Sequence, residues 1–222
     1  VTTEAQLLAY LKSWKPAYAP GTHRNYSNIS VGVLGRAIAN SLDADFEQAV
    51  AAHLLIPLGL THTFYDMPES AVADYAQGYT KDNAPVRMGP GLLSAEAYGV
   101  KSCAKDLLRW LEANMGLVAL DTQLQHALDL THSGYVSFGN MIQGMVWEQY
   151  RLPTTLPQLL QGNSYETLLG NAQAEAYSPP LPHQDAMLIN KTASTNGFGT
   201  YEMFIPAKTL GIVLLAHKHN PK

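Results

Sequence analysis

Two short segments of the chain combine residue types that can transfer protons and hold a charged substrate. The first, Tyr26-Ser27-Asn28, lies where a loop enters a predicted helix and offers a phenol, a hydroxyl and an amide. The second, Lys191-Thr192-Ala193-Ser194, lies on a predicted strand and offers an ammonium group and two hydroxyls. Taken separately, each is a weak indication, because a tyrosine before a helix usually serves packing and a lysine at a strand end is usually solvated.

A serine and a lysine three positions apart occur in Ser102-Cys103-Ala104-Lys105. The amide dipoles at a helix start favour an anion, and Lys105 would lie on the same helix face one turn later. In the structural alternative, Ser102 caps the helix and Lys105 points toward solvent. We favour this structural interpretation, and a fully active Ser102→Ala variant would rule out Ser102 as a nucleophile.

Helices are predicted through much of the first half of the chain, and one of them must carry Asn28. Thr3 with Gln6 and Asp45 with Gln48 have the spacing of capping pairs at helix starts. Apolar residues recur at helical spacing after Asn28, namely Val31, Leu34, Ile38 and Leu42, which predicts that this face is core. The predicted helices run from Thr3 to Trp14, Asn28 to Leu42, Asp45 to Pro57 and Gly59, Ser102 to Met115, and Asp121 to Leu130.

Strands are predicted late in the chain, where the lysine segment lies. Asn196-Gly197 is a turn signal between two of them. Helices first and antiparallel strands later indicate an α+β protein with segregated layers. The predicted strands are Gly144 to Tyr150, Met187 to Ser194, Gly199 to Ile205 and Leu210 to Ala216; Thr61 to Leu93 is expected to be irregular, and Leu152 to Pro182 a surface excursion.

Composition excludes several classes of protein. Apolar residues make up 46% of the 222 residues and charged residues only 14%, which argues against a disordered, highly charged chain. A net charge of −4 without a basic stripe argues against nucleic-acid binding. The single cysteine, Cys103, excludes an intrachain disulfide and a cysteine-based zinc site, and His217-x-His219 lacks a nearby acidic or thiol partner. No apolar run reaches the ~18 residues of a membrane span, and the first residues show no signal-peptide pattern.

Together, the two segments resemble motifs of the penicillin-recognising serine hydrolases, which combine Ser-x-x-Lys, a Ser-x-Asn or Tyr-x-Asn element and Lys-Thr-Gly. Tyr-x-Asn is typical of the class C branch. Further segments that resemble class C β-lactamases (cephalosporinases) are 57–63, 89–102, 143–148 and 191–216. The resemblance implies an α+β serine β-lactamase/transpeptidase-like fold, an antiparallel sheet flanked by helices beside a mostly helical lobe. We expect the helical lobe in residues 1–115 and the sheet portion in residues 116–222.

The resemblance also implies roles for individual residues in opening a β-lactam ring. Tyr26 would pass protons between the serine oxygen and the lactam nitrogen, and because a tyrosine ordinarily titrates near ~10 it needs a cation nearby, which Lys191 can supply. Lys191 with Thr192 would hold the substrate carboxylate. The remaining implied contacts are Asn28 to the acylamino side chain, the backbone N–H of Ser194 as half of the oxyanion hole, and Tyr98 as a wall of the side-chain pocket.

The sequence departs from the family pattern at three places. Ala193 replaces the glycine of Lys-Thr-Gly, so that a methyl group could crowd the substrate. His217-Lys218-His219 stands where Asn-Lys-Asn is common, which alters carboxylate recognition without excluding it. The chain starts 25 residues before Tyr26, so we expect the nucleophile-bearing segment upstream of it. The resemblance likewise implies that the helix that normally follows the last strand is not among these 222 residues.

These observations lead to an expected function and to alternatives. The first hypothesis is a class C β-lactamase that acts on penicillins and cephalosporins without a cofactor or metal. By resemblance it would lie in the periplasm, as a monomer where the full domain is present. The second hypothesis is a penicillin-binding-like peptidase or esterase, which would hydrolyse a D-Ala-D-Ala peptide or an ester faster than a cephalosporin. The third is a catalytically inactive fragment that forms no acyl adduct.

Two further carboxylates have expected positions. Glu148 is expected near the site edge, and Glu202 is expected to face solvent or a covering helix.

Overall fold

Local signals set the helix boundaries of the computed structural model, which describes residues 1–218. Thr3 and Asp45 each accept a hydrogen bond from a backbone N–H of the helix that follows, as predicted, and Gly59 ends another helix with a φ of 70°. The helices are α1 (Glu4–Ser13), α2 (Asn28–Ser41), α3 (Phe46–Val50), α4 (Ile56–Leu58), α5 (Ser94–Ala97), α6 (Ala104–Asn114), α7 (Thr122–Thr131), α8 (Leu156–Gly162) and α9 (Tyr165–Leu169), and the π-helical segment Ala51–Leu55 joins α3 to α4.

The strands form one large sheet and two short pairs. Their bounds are β1 (His23–Arg24), β2 (Gly78–Tyr79), β3 (Pro85–Val86), β4 (Gly134–Phe138), β5 (Met141–Gln143), β6 (Glu148–Arg151), β7 (Ala172–Gln173), β8 (Glu175–Leu181), β9 (Met187–Thr195), β10 (Phe198–Ile205) and β11 (Leu210–Ala216). The large sheet is antiparallel, with seven strands in the order β11-β10-β9-β6-β5-β4-β8. β1 pairs with β7, and β2 pairs with β3.

The last three strands agree with their predicted bounds to within one residue. β9 and β10 are joined through the Asn196-Gly197 turn, and their register sets Lys191 opposite Glu202 and Ser194 opposite Gly199. β6 pairs with β9 only as far as Asn190. Among the described strands, the stretch of β9 from Lys191 onward is therefore paired through β10 alone, and its other edge is open.

The core lies on both faces of the sheet. Because side chains alternate along a strand, Met203 and Phe204 on β10 enter different clusters. Met203 packs with Tyr150 and Leu188 on one face. Phe204 packs with buried residues such as Leu111 of α6 on the other face. Helix α6 thus covers one face of the sheet.

Three predictions about elements are wrong in part. The excursion from Leu152 to Pro182 contains α8, α9, β7 and the edge strand β8, because Thr155 and Gln158 form a capping box that starts α8. The strand predicted over Gly144 to Tyr150 begins only at Glu148. Ser102 is not the helix cap: α6 begins at Ala104 and its N-cap is Cys103.

The apolar stripe of α2 is exposed rather than buried, which overturns its assignment to the core. Leu34 is 59% exposed, whereas Gly32, Gly35 and Ala39 form the buried face. These small residues allow α5 to approach closely, since a Cβ on Gly32 would lie 2.6 Å from the Leu93 Cβ. Within residues 1–218, none of the helices combines the length and the apolar character that crossing a membrane requires.

Candidate active site

The turn into α2 brings a phenol to the open end of β9. Ser27 caps α2 by accepting a hydrogen bond from the Ser30 backbone N–H at 3.3 Å, which fixes the preceding Tyr26 at the helix entrance. The Nζ atom of Lys191 lies 5.8 Å from the centre of the Tyr26 ring, over its face. Tyr26 remains 42% exposed. The structure therefore brings together the two residues for which the sequence predicted proton transfer and its electrostatic support.

A buried carboxylate lies beneath Lys191. The Glu148 side chain has no exposed surface, and its Oε1 atom lies 3.6 Å from the Lys191 Nζ and 3.1 Å from an Arg24 guanidinium nitrogen. Burial raises the pKa of the Glu148 carboxyl, whereas the positive charges of Lys191 and Arg24 lower it. Glu148 is thus a charge partner shared by two cations, and not merely a residue at the site edge.

Arg24 connects this charge cluster to α9 and β5. Its guanidinium donates to the Leu168 carbonyl at 3.0 Å and to the Gln143 side-chain oxygen at 3.1 Å. It also lies over the Phe138 ring, 5.0 Å from the ring centre. Arg24 precedes Tyr26 by two residues on β1, so the contacts that hold the guanidinium also hold the loop that carries the phenol.

The second oxygen of Glu148 faces an amide network. The Asn190 amide donates to Glu148 Oε2 at 3.4 Å, and the Asn190 Oδ1 atom accepts from the Tyr201 hydroxyl and the Asn163 amide, each at 3.3 Å. Asn190 is fully buried on β9 and directly precedes Lys191. Sequence reasoning missed Arg24, Asn163 and Asn190, because their polar side chains meet only through contacts between distant segments.

The residues that follow Lys191 line the open edge of β9. The Lys191 ammonium donates to the Thr192 carbonyl at 2.8 Å, which keeps its positive charge beside this edge. Ala193 and Ser194 are exposed, so the Ala193 methyl group is free to meet a bound molecule. That this methyl group crowds a bound substrate stays a prediction.

The other predicted binding residues lie on neighbouring elements. Asn28 is the exposed first residue of α2, and half-buried Tyr98 ends α5, which packs against α2. His217 is exposed beyond β11, where its ring nitrogen lies 3.1 Å from the Gln77 carbonyl and its own carbonyl accepts from the Tyr79 N–H at 2.9 Å. This contact joins His217 to β2 at the same end of the sheet as Ser194. His219 lies outside the described residues.

Ser102 is held in a different hydrogen-bond network. Its hydroxyl lies 2.8 Å from the Thr63 hydroxyl, and Thr63 in turn donates to a carboxylate oxygen of Asp106 at 2.8 Å. Lys105 is exposed, in agreement with the structural interpretation of this pair. The contacts of Ser102 thus explain its presence without a catalytic role.

Comparison with known proteins assigns the family. A family model described as Beta-lactamase matches residues 1–222. A beta-lactamase of Psychrobacter immobilis is 44% identical over 216 residues, which cover 97% of this chain but 54% of that relative. The chain thus spans about half the length of this relative.

Solved structures agree with this family and with the predicted fold. The structure of D-alanine carboxypeptidase AmpC from Burkholderia cenocepacia has a TM-score of 0.96 and 48% identity, with 100% of this chain and 63% of that chain covered. A class C beta-lactamase in complex with cefoxitin has a TM-score of 0.95 and 46% identity, with 99% and 61% covered. The chain has the α+β serine β-lactamase/transpeptidase fold and belongs to the beta-lactamase family.

Proposed function

We propose that the protein hydrolyses β-lactams as a class C β-lactamase, through an acyl-enzyme on a serine upstream of Val1. The observation that carries this proposal is the contact between Lys191 and Tyr26, with the Lys191 Nζ 5.8 Å from the ring centre. A cation at this position stabilises negative charge that develops on the phenol oxygen. Membership of the beta-lactamase family supports the substrate class.

In the proposed reaction, the serine oxygen attacks the lactam carbonyl carbon and the amide C–N bond breaks. The serine proton passes through the Tyr26 oxygen to the departing lactam nitrogen. Water then adds to the ester carbonyl carbon and passes a proton through the Tyr26 oxygen to the serine oxygen as the ester C–O bond breaks, which releases the ring-opened acid and restores the serine hydroxyl. The Ser194 N–H supplies one oxyanion donor at the open edge of β9, and Lys191 with Thr192 binds the substrate carboxylate.

The remaining residues determine how the substrate fits. Asn28 would bind the acylamino side chain, and Tyr98 would line the pocket for it. His217 would contact the substrate carboxylate at the far end of β9, where its ring is exposed. The methyl group of Ala193 would reduce the space available to the substrate beside β9. By family resemblance, we also propose a periplasmic location.

Removing the Tyr26 hydroxyl tests the proton-transfer role. In the protein that contains this chain, Tyr26→Phe should lower kcat/KM for a cephalosporin by about 10²- to 10⁴-fold, the usual contribution of general acid–base catalysis. Because Tyr26 is 42% exposed, the free energy of unfolding should change little. Tyr10→Phe is the matched control, since Tyr10 is 40% exposed on α1, and it should retain full activity. Full activity of Tyr26→Phe would contradict the proposal.

The position of the nucleophile requires a separate experiment. The protein is treated with a slowly deacylating β-lactam, its intact mass is measured and the modified peptide is located. We expect one drug per molecule, on a serine outside residues 1–222. An adduct on Ser102 would instead make Ser102 the nucleophile, and the absence of any adduct would favour the inactive alternative.

A D-alanine carboxypeptidase is the second candidate. It is favoured by the names of two structural relatives, the Burkholderia cenocepacia protein and a Beta-Lactamase/D-Alanine Carboxypeptidase from Pseudomonas syringae with a TM-score of 0.97 and 47% identity. The ratio of kcat/KM for a cephalosporin to that for a D-Ala-D-Ala peptide separates the two functions. We expect the cephalosporin to be the better substrate.

A further inference from the structure

A half-buried carboxylate lies across the strand pair from Lys191. The register of β9 and β10 sets Glu202 directly opposite Lys191. Residues that are directly opposite point to the same face of a sheet, with Cβ atoms about 4.5–5.5 Å apart. Because side chains alternate along β10, Glu202 shares its face with Phe204, which is the face that α6 covers. Glu202 is therefore a second carboxylate close to Lys191, in addition to Glu148.

The surroundings of Glu202 are apolar apart from Lys191. On its other side, β11 sets Val213 opposite Glu202. Among residues 1–218, no lysine, arginine or histidine forms a contact ion pair with Glu202. Burial raises the pKa of the Glu202 carboxyl from 4.5 to about 7, and the positive charge of Lys191 lowers it. The α6 residues that pack on this face are Trp110, Leu111 and Met115.

The charges around Lys191 balance only when Glu202 is ionised. Lys191 and Arg24 supply two positive charges, and both lie beside the single carboxylate of Glu148. With Glu202 protonated, this cluster keeps one positive charge in excess, whereas ionisation of Glu202 makes it neutral. Lys191 is the cation beside the open edge of β9. The excess charge is therefore available to an anion that binds at this edge.

We propose that Glu202 sets the charge that Lys191 presents to the substrate carboxylate, so that ionisation of Glu202 weakens the binding of that carboxylate. This inference rests on the proposed function, in which Lys191 with Thr192 binds the substrate carboxylate. An anion close to an ammonium group reduces the attraction of that group for a second anion. Glu202 acts through Lys191 and does not touch the reacting atoms, so it is a positioning residue.

The pH dependence of kcat/KM, in the protein that contains this chain, tests the role of Glu202. Two substrates are compared: a cephalosporin with a free carboxylate, and the same cephalosporin with that carboxylate blocked as a methyl ester. Between about pH 6 and about pH 8, kcat/KM of the wild type should fall about 3- to 10-fold more for the free carboxylate than for the ester. This additional fall should disappear in Glu202→Gln, because a glutamine side chain does not ionise.

A matched control variant separates this role from a structural one. Glu175→Gln removes an exposed carboxylate on β8, at the opposite edge of the sheet from β11, and it should keep the pH dependence of the wild type. At about pH 8, Glu202→Gln should turn over the free carboxylate faster than the wild type does, since its cluster keeps the excess positive charge. A substitution that merely disturbed packing would lower kcat/KM at every pH and for both substrates.

Two results would overturn the inference about Glu202 alone. Equal pH dependence for the free carboxylate and the ester in the wild type is one, and it would also arise if a cation outside residues 1–218 kept Glu202 ionised. An additional fall that persists in Glu202→Gln is the other. If Glu202→Gln fails to fold, as judged by circular dichroism, the comparison of the two substrates in the wild type decides. A folded wild type that hydrolyses neither substrate would instead contradict the proposed function, and this inference with it.

Discussion

The Glu148 carboxylate is shared by two cations, and this predicts a large effect of neutralising it. Glu148→Gln keeps the shape of the side chain but leaves Lys191 and Arg24 without their negative partner. Breaking a buried ion pair in this way usually costs about 3–5 kcal/mol. Urea denaturation should therefore give a free energy of unfolding lower by about 3 kcal/mol. Glu175→Gln, on the exposed part of β8, is the control, and equal stability of the two variants would argue against the shared pair.

Glu202 predicts how stability depends on pH. Burial raises its pKa from 4.5 to about 7, with Lys191 acting in the opposite direction. Between pH 4.5 and about 7, the folded state therefore retains a proton that the unfolded state has lost. The contribution of this proton to the free energy of unfolding is complete below pH 4.5 and is lost as the pH rises to about 7. Over that range, the loss is about 3 kcal/mol. Denaturation at several pH values should show this decline in the wild type and in Glu175→Gln and a smaller decline in Glu202→Gln, and an equal decline in Glu202→Gln and the wild type would contradict the prediction.

Residue-scale predictions from the sequence depended on local patterns. Tyr26 and Lys191 belong to short motifs, so they could be predicted together, and the structure brings them within 5.8 Å. Arg24 belongs to no recognisable sequence motif, and its guanidinium contacts Glu148 only because the fold places β1 beside the sheet. A charge pair between residues far apart along the chain produces no regular spacing pattern from which it could be predicted.

At the scale of elements, the packing of α5 on α2 depends on two glycines. A Cβ at Gly32 would lie 2.6 Å from the Leu93 Cβ, and one at Gly35 would lie 2.7 Å from Glu96. In Gly32→Ala, overpacking should lower the free energy of unfolding by about 1–3 kcal/mol, whereas the higher helix propensity of alanine should raise it by about 1 kcal/mol. We expect the variant to be less stable than the wild type. It should also raise KM, because α5 carries Tyr98. Ser30→Ala, exposed on the same helix, should change neither stability nor KM, and a more stable Gly32→Ala protein would contradict the close packing.

Element-scale predictions succeeded where capping and turn residues were explicit. The strands β9 to β11 and the helix from Asp45 to Gly59 have such signals, and their bounds are confirmed. The stretch from Leu152 to Pro182 was misassigned because its prolines suggested a loop, although Thr155 and Gln158 already signal the start of α8. The stripe of α2 shows a different limit: helical periodicity identifies an apolar face, but it does not show what covers that face.

At the scale of the whole molecule, two apolar surfaces lack a cover among residues 1–218. Leu34 on α2 and Leu214 on β11 are each 59% exposed, and β11 is an edge strand of the sheet. The other edge, β8, contains Pro179 and Pro180, which limit pairing with another strand, whereas β11 contains no proline. Residues 1–222 prepared by themselves should therefore associate, because water is expelled when exposed apolar surfaces and an open strand edge meet.

Sedimentation velocity at increasing concentration measures this association. We expect the weight-average sedimentation coefficient of residues 1–222 to rise with concentration, and the double variant Leu34→Gln and Leu214→Gln to lessen the rise. Ser30→Gln adds the same side chain at an exposed position of α2 that is already polar, so it should sediment like the parent chain. A longer protein whose additional residues cover α2 and β11 should remain monomeric. If residues 1–222 stay monomeric at every concentration, these two surfaces do not drive association, and their exposure needs another explanation.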